Sequence, residues 1–266
     1  NSGVKTICVY GEINYFENET LKLKNGQKLV GTEYFTGYTG NEKFSKINFK
    51  GNQNNAIECR ENTISDLALN FDCTSTTICN LIFKNGNAKL NISNLDLNLS
   101  SLDATSGNLQ GAILAHYGEL AIDGTINING TGAWGGGLAI YNCHTTISKD
   151  AVVNITSSSS RYENDSFMIY RNSVVDLYGT INCNNQILMP KHERDDNNTL
   201  NVYNGATINT TGDIYVAASN SNDTRNKINF EAGSRLNIND KSGLVSTIST
   251  GTTILGNTTS DIDITS

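Results

Sequence analysis

The sequence predicts an all-β chain wound as a single parallel β-helix, a solenoid of about nine to ten coils with roughly 27 residues per coil. Three observations carry that expectation. The first is a phrase that recurs: an apolar residue, an asparagine, then another apolar or small residue. It stands at Asn70 in LNF, Asn98 in LNL, Asn127 in INI, Asn154 in VNI, Asn182 in INC, Asn209 in INT and Asn237 in LNI, at steps of 28, 29, 27, 28, 27 and 28 residues. The second is composition. One proline beside 24 glycines in 266 residues, with Asn, Thr, Ser, Ile and Leu filling the space, suits short strands joined by polar turns and suits long helices poorly. The third is that a small turn precedes each phrase and a second apolar alternation precedes the turn, so each unit holds two or three short strands and no helical period. One such unit cannot bury its apolar face alone, whereas stacked units bury a continuous column, so two separate domains are not expected.

In chain order, residues 1–31 read as an N-terminal cap and first coil and residues 32–266 as stacked coils. The chain starts at Asn1 without a methionine or signal peptide, and it is expected to be a processed or trimmed piece whose C-terminus is cut from a longer chain. Lys22 in LKL stands as the first member of the series and Asn48 in INF as the next, with ISDLALNF at 64–71 and ISNLDLNL at 92–99 as early rungs. Asp263 in IDI extends the series at the far end. The turns before the phrase are Asp123-Gly124, Asp150-Ala151, Tyr178-Gly179, Gly205-Ala206 and Gly233-Ser234, residues suited to tight bends or positive φ. The strands before those turns form one expected series, LAI at 138–140, FMI at 167–169, LNV at 200–202 and INF at 228–230, each with two inward residues around an outward one. An asparagine flanked by two inward hydrophobics faces outward. Repeated every ~4.8 Å, such amides hydrogen-bond up the stack, beside a second polar row of Asn129, Thr156, Asn184, Thr211 and Asn239. The repeated phrase thus encodes a shape first.

A net charge of −7 argues against nucleic acid or an anionic membrane as the main partner. The longest apolar runs are a few residues, such as GAILA at 111–115, so no segment reads as membrane-embedded. None of the six cysteines forms a CxxC pair, which argues against zinc, and no metal or cofactor is expected. An even cysteine count suits an exported, oxidising setting, and buried thiols filling strand positions suit it equally. Cys73 and Cys79 flank a short polar loop and are the best local pair; the connectivity of Cys8, Cys59, Cys143 and Cys183 stays open.

The stretch LKLKNGQKLVG at 21–31, the two early rungs and LNVYNGATINTTGDIYV at 200–216 resemble pectin-lyase-like right-handed β-helices, and most of all the passenger segments of bacterial autotransporter adhesins. Those passengers repeat L-x-V-x-x-G-A-x-I-N, matched here by Leu200, Val202, Gly205, Ala206, Ile208 and Asn209. The resemblance covers nearly the whole chain and consists of stacking residues, not a catalytic signature. It implies a right-handed helix and, by analogy only, an extracellular or cell-surface location, a role in adhesion and virulence, and self-association.

Binding residues are sought on loops and on outward strand positions. The loops 129–137, 157–166, 184–198 and 217–227 are expected to project from one side and carry Trp134, Arg161, Tyr162, His192 and Arg194, a mixture suited to a protein or glycan surface. The outward positions after each inward pair are His116, Tyr141, Tyr170, Tyr203 and Glu231, and three stacked tyrosines would make an aromatic strip for sugar rings or a partner protein. The alternative is a polysaccharide lyase or glycoside hydrolase. Asp123 and Asp150 occupy matching turn positions on adjacent coils, ~5 Å apart, yet Asp in a turn also serves purely conformational ends. No arginine accompanies them at fixed spacing, the three histidines are scattered, and no triad order appears. A third reading, an ice-binding or purely structural solenoid, rests on the outward Thr and Asn grid, which Val152, Arg235 and Asp261 interrupt. The reading favoured by sequence is a bacterial surface adhesin that binds a host or cell-surface protein or glycan without turning it over.

Overall fold

The computed structural model describes residues 3, 5–16, 18–36, 44–75, 78–101, 111–131, 137–158, 165–189, 197–212, 214–216, 226–238 and 262–263. Among these the chain is all β apart from one short helix, α1 (Glu33–Thr36). The strands run β1 (Thr6–Val9), β2 (Glu12–Tyr15), β3 (Leu21–Lys22), β4 (Lys28–Gly31), β5 (Lys46–Gly51), β6 (Asn55–Cys59), β7 (Asn62–Cys73) and β8 (Asn80–Asn85). They continue with β9 (Lys89–Ser101), β10 (Gly111–Thr131), β11 (Leu138–Ile147), β12 (Val152–Ser158), β13 (Asp165–Tyr170), β14 (Val174–Leu177) and β15 (Thr180–Cys183). The last are β16 (Gln186–Met189), β17 (Thr199–Val202), β18 (Thr207–Thr210), β19 (Ile214–Val216), β20 (Lys227–Phe230), β21 (Arg235–Ile238) and β22 (Ile262–Asp263).

Every pairing but the last is parallel and joins a strand to one a circuit later, which defines a β-solenoid of right-handed type. Three faces result. The first face stacks β1, β4, β7, β9, β10, β11, β14, β17 and β20. The second stacks β2, β5, the far halves of β7, β9 and β10, then β12, β15, β18 and β21. The third stacks β3, β6, β8, the starts of β10 and β11, then β13, β16 and β19. The long strands β7, β9, β10 and β11 run through corners and so serve two or three faces. The evenly spaced part, from Asn127 to Asn237, comprises about five turns about 28 residues apart. Towards the N-terminus the contacting steps are uneven: 34 from Asn14 to Asn48, 22 on to Asn70 and 31 from Asn98 to Asn129.

Strict alternation builds the core. Strands such as β15 and β18 bury every second residue, and the main buried cluster runs from Val9 to Leu236, with a second, smaller one of Leu114, Ala139 and Met168 against which Phe83, Tyr170 and Leu188 pack. On the second face, Leu67, Leu95, Ile126, Val153, Ile181, Ile208 and Leu236 lie one above another in register. Burying each such side chain contributes about 1.5–3 kcal/mol, and stacking is what makes full burial possible.

Corners between the first and second faces use the left-handed region. Asp66 (φ 56°) and Asn94 (φ 50°) are followed on the next coil by Gly124 (φ 58°), where a Cβ would meet the Asn94 Oδ1 at 2.2 Å. Asn94 uses that oxygen to accept the Thr125 N–H and donates its own amide to Asp66 Oδ1 at 3.0 Å. Asn/Asp and Gly are the residues that take this conformation cheaply.

Four expectations about strands are corrected. Lys22 is no member of the asparagine series: it pairs with Glu58 on the third face, and Asn14 opens the row instead. Asp263 does not continue the stack, because β22 pairs antiparallel with β21 and sets Asp263 against Arg235. LNV at 200–202 and INF at 228–230 belong to the first face, whereas LAI and FMI belong to the third. The third face continues instead through Ile187–Met189 and Ile214–Val216, so the span 184–198 is partly strand. Its QILM segment buries Ile187 and Met189, an alternation too short to be distinguished from a polar loop by pattern alone.

Candidate binding surface

The third face turns into the first at a corner crowded with rings. His116, Tyr141 and Tyr170 are in register on successive coils. The His116 and Tyr141 rings meet edge-on at 4.5 Å, and Tyr141 and Tyr170 lie 6.4 Å apart at 27°. Tyr117, the next residue along, stacks on His116 at 4.0 Å, and the Arg171 guanidinium lies 5.0 Å from the Tyr141 ring centroid. Tyr117 and Arg171 are both exposed.

The backbone that presents them is strained. Tyr117 (φ 65°), Asn142 (φ 48°), Arg171 (φ 43°) and Asn172 (φ 56°) all sit in the left-handed region. For a bulky residue this costs about 1–2 kcal/mol, and such strain concentrates at functional sites. Beneath the corner Lys84 points inward and is fully buried; its Nζ donates to the Gly86 carbonyl at 2.7 Å and to the Tyr117 carbonyl. That ammonium pins the turn bearing the Tyr117 ring. Burial holds the Lys84 pKa below its ordinary range. Burial, then the positive Lys84 and Arg171, hold His116 below the ordinary histidine value, so it is neutral at pH 7. Arg171 carries the exposed charge of the corner.

Tyr203 and Glu231 do not join this strip. The Tyr203 N–H donates to the Leu177 carbonyl and that of Glu231 to the Val202 carbonyl, which places both on the first face. There Tyr203 stacks on Tyr178 at 4.2 Å with an interplanar angle of 8°. The 33-residue step from Tyr170 to Tyr203 exceeds one coil because it crosses β16 and moves to another face. Tyr203 donates to Asp176 Oδ1 at 3.2 Å; Asp176 also accepts from Asn201 at 2.8 Å and meets His144 Nε2 at 2.6 Å. Burial alone would raise the Asp176 pKa, but hydrogen bonds from Asn201, His144 and Tyr203 together hold it below the usual carboxylate value. The Tyr203 phenol is pushed up to about 12 by its hydrogen bond with Tyr178, then by burial and the Asp176 charge.

The second face carries the asparagine row. Asn154 donates to Asn127, Asn182 to Asn154, Asn209 to Asn182 and Asn237 to Asn209, each at 2.7 Å. One link is corrected. Asn127 donates to Asp96, and Asn98 is instead bonded by Asn129, because β10 pairs with β9 two residues out of the expected register after the bulge at Asp123. Two ladders result. One runs Asn129, Asn98, Asn70, Asn48 to Glu12 and Asn14; the other runs from Asn237 down to Asp96. Between the rows lie open grooves of about 590 Å³ around Asn98, Asn127 and Asn154 and about 340 Å³ around Asn182 and Asn209.

Asp123 and Asp150 are both exposed on adjacent coils. Asp123 accepts from Ser148 Oγ at 2.6 Å and from the Gly124 N–H at 2.9 Å, a turn-closing role. Among the described residues no group of His, Cys, Asp or Glu is arranged to hold a metal ion, and no helix is long and apolar enough to cross a membrane. Cys73 and Cys79 form a disulfide, whereas Cys59, Cys143 and Cys183 are buried thiols and Cys8 is exposed. Trp134, Arg161, Tyr162, His192 and Arg194 lie outside the described residues, as do Asn239 and Asp261.

Tyr117, Arg171, Asp176 and Lys84 are not singled out by the sequence pattern, and Tyr178 enters it only as a turn residue. A usable signal exists for the first two: three successive third-face segments end in an aromatic or imidazole ring followed by a turn residue, as in His116-Tyr117-Gly118, Tyr141-Asn142 and Tyr170-Arg171-Asn172. No protein-family model, curated protein or solved structure matches the chain.

Proposed function

We propose that the chain is the surface-displayed part of an exported bacterial protein of the autotransporter-adhesin kind, and that it binds a host or cell-surface glycan or protein without chemical turnover. In this reading the helix is pectin-lyase-like, counts nine to ten coils, and acts as a rigid stalk. The observation that carries the reading is the ring corner of His116, Tyr117, Tyr141 and Tyr170, held out by a left-handed backbone. Tyr117 is exposed and His116, Tyr141 and Tyr170 are half-buried, and rings with polar edges favour ligands that are part apolar and part hydroxylated. The Cys73–Cys79 disulfide supports an oxidising compartment.

The test is to pass the purified protein over immobilised neutral and acidic polysaccharides and over host cell-surface extracts, and to size each polymer after long incubation. Retention with unchanged polymer length is the expected result. Shortened polymers would replace the binding reading with a degradative one, and no retention on any surface would remove it.

A further inference from the structure

From the geometry of the ring corner we infer that it recognises a carboxylate-bearing saccharide, with Arg171 gripping the carboxylate and Tyr141 and Tyr170 supporting the sugar rings. The inference rests on the binding reading above and names its ligand class.

Four observations lead there. The Arg171 guanidinium forms no ion pair among the described residues, in a chain whose 26 acidic side chains outnumber its 19 basic ones. It is held 5.0 Å from the Tyr141 ring centroid, from a residue whose own backbone is left-handed at φ 43°. A planar guanidinium beside a ring leaves its outer N–H fork free, and that fork matches the two oxygens of a carboxylate. Second, His116 is neutral at pH 7, so the corner combines one fixed exposed charge with neutral rings. Third, Glu119, an exposed carboxylate just past the corner on β10, is offset by Lys89 at 3.9 Å, and the buried Lys84 ammonium adds positive potential from below. The local field therefore favours an anion although the whole chain is acidic. Fourth, Tyr141 and Tyr170 are in register on successive coils, their rings 6.4 Å apart and tilted by 27°, so that two near-parallel rings form a short row beside the charge. A polymer of rigid rings uses such a row better than a flexible acidic peptide does, because fewer rotors must be ordered on binding.

The experiment is calorimetric titration of the full chain with a mannuronate hexasaccharide, with the same oligosaccharide after reduction of its carboxylates to alcohols, and with a glutamate hexapeptide. It is repeated on Arg171→Gln, Arg171→Lys and Tyr141→Ala, each first checked for an unchanged circular dichroism spectrum and urea midpoint. The expected result is binding of the uronate, at least about tenfold weaker binding of its reduced form, a similar loss in Arg171→Gln, and partial recovery in Arg171→Lys. Loss of a bidentate charge-assisted pair is of that size. Equal affinity of Arg171→Gln and the parent for the uronate overturns the inference. If Tyr141→Ala still abolishes binding in that case, the corner remains a binding surface of another specificity. Tighter binding of the glutamate peptide than of the uronate, again lost in Arg171→Gln, overturns the saccharide assignment in favour of an acidic protein partner. Failure of all probes on parent and variants alike overturns the inference, while retention on another surface in the panel would leave the wider reading standing.

Discussion

At the scale of the residue, carboxylates end the polar rows. Each ladder amide donates down the stack and accepts from above, so a residue with acceptors only stops the chain of bonds. Asp96, Asp176, Asp66 and Glu12 occupy such ends. Asp176 is the most heavily solvated by protein groups, and the consequence for pH can be signed. Its folded pKa lies below its unfolded value, so its contribution is fully present above the ordinary carboxylate range near ~4 and is lost as pH falls through the folded value. The stability of Asp176→Asn, measured by urea midpoint from pH 7 down to pH 2.5, should therefore fall less steeply below pH 4 than that of the parent. Parallel curves would remove Asp176 from the acid sensitivity of the fold.

At the scale of the element, the ladder should matter more where it is partly buried and bonded on both sides. Asn154 accepts from Asn182 and donates to Asn127, whereas exposed Asn129 has one amide bond, to Asn98. Asn154→Ala should lower stability by about 1–3 kcal/mol, and Asn129→Ala by less than about 1 kcal/mol, as read from equilibrium unfolding. The rows were legible in the sequence because an outward Asn between two inward hydrophobics leaves a period of two inside a period near 28 residues. The break between Asn98 and Asn127 was not legible. Beyond the bulge at Asp123 the pairing of β10 with β9 runs at a step of 31 residues instead of the expected 29, and an even difference keeps every side chain on its face and so leaves the hydrophobic pattern intact. For the same reason β16 was hidden: four residues, two of them buried, look like loop until a neighbour pairs with them. Missing that strand is what displaced Tyr203 from its true face. The ring corner was half legible, through Tyr141 and Tyr170. Its left-handed backbone depends on contacts between coils, such as Lys84 with the Tyr117 carbonyl, that lie 33 residues apart.

At the scale of the whole molecule, one core seals the cysteines by position. Burial pushes the thiols of Cys59 and Cys183 up to about 12 and that of Cys143 to about 11, while Cys8 is exposed on the edge strand β1. A thiol reagent at pH 8 should modify Cys8 alone in the folded, unreduced protein and all four free thiols after unfolding in urea. Early labelling of Cys59, Cys143 or Cys183 would mean that the stack opens locally. The same rigidity bears on the proposed binding, since rings on a rigid scaffold lose little freedom when a ligand settles on them.

Binding is proposed for the corner between the third and first faces, and two double variants compared against the best-retained ligand of the panel decide whether it belongs there. Tyr141→Ala with Tyr170→Ala removes rings from the corner; Tyr178→Ala with Tyr203→Ala removes the stacked pair of the first face. The first is expected to lose at least about tenfold in affinity, about 1.4 kcal/mol, and the second to stay within about twofold of the parent. Equal losses in both, or a loss confined to the second, would contradict that placement.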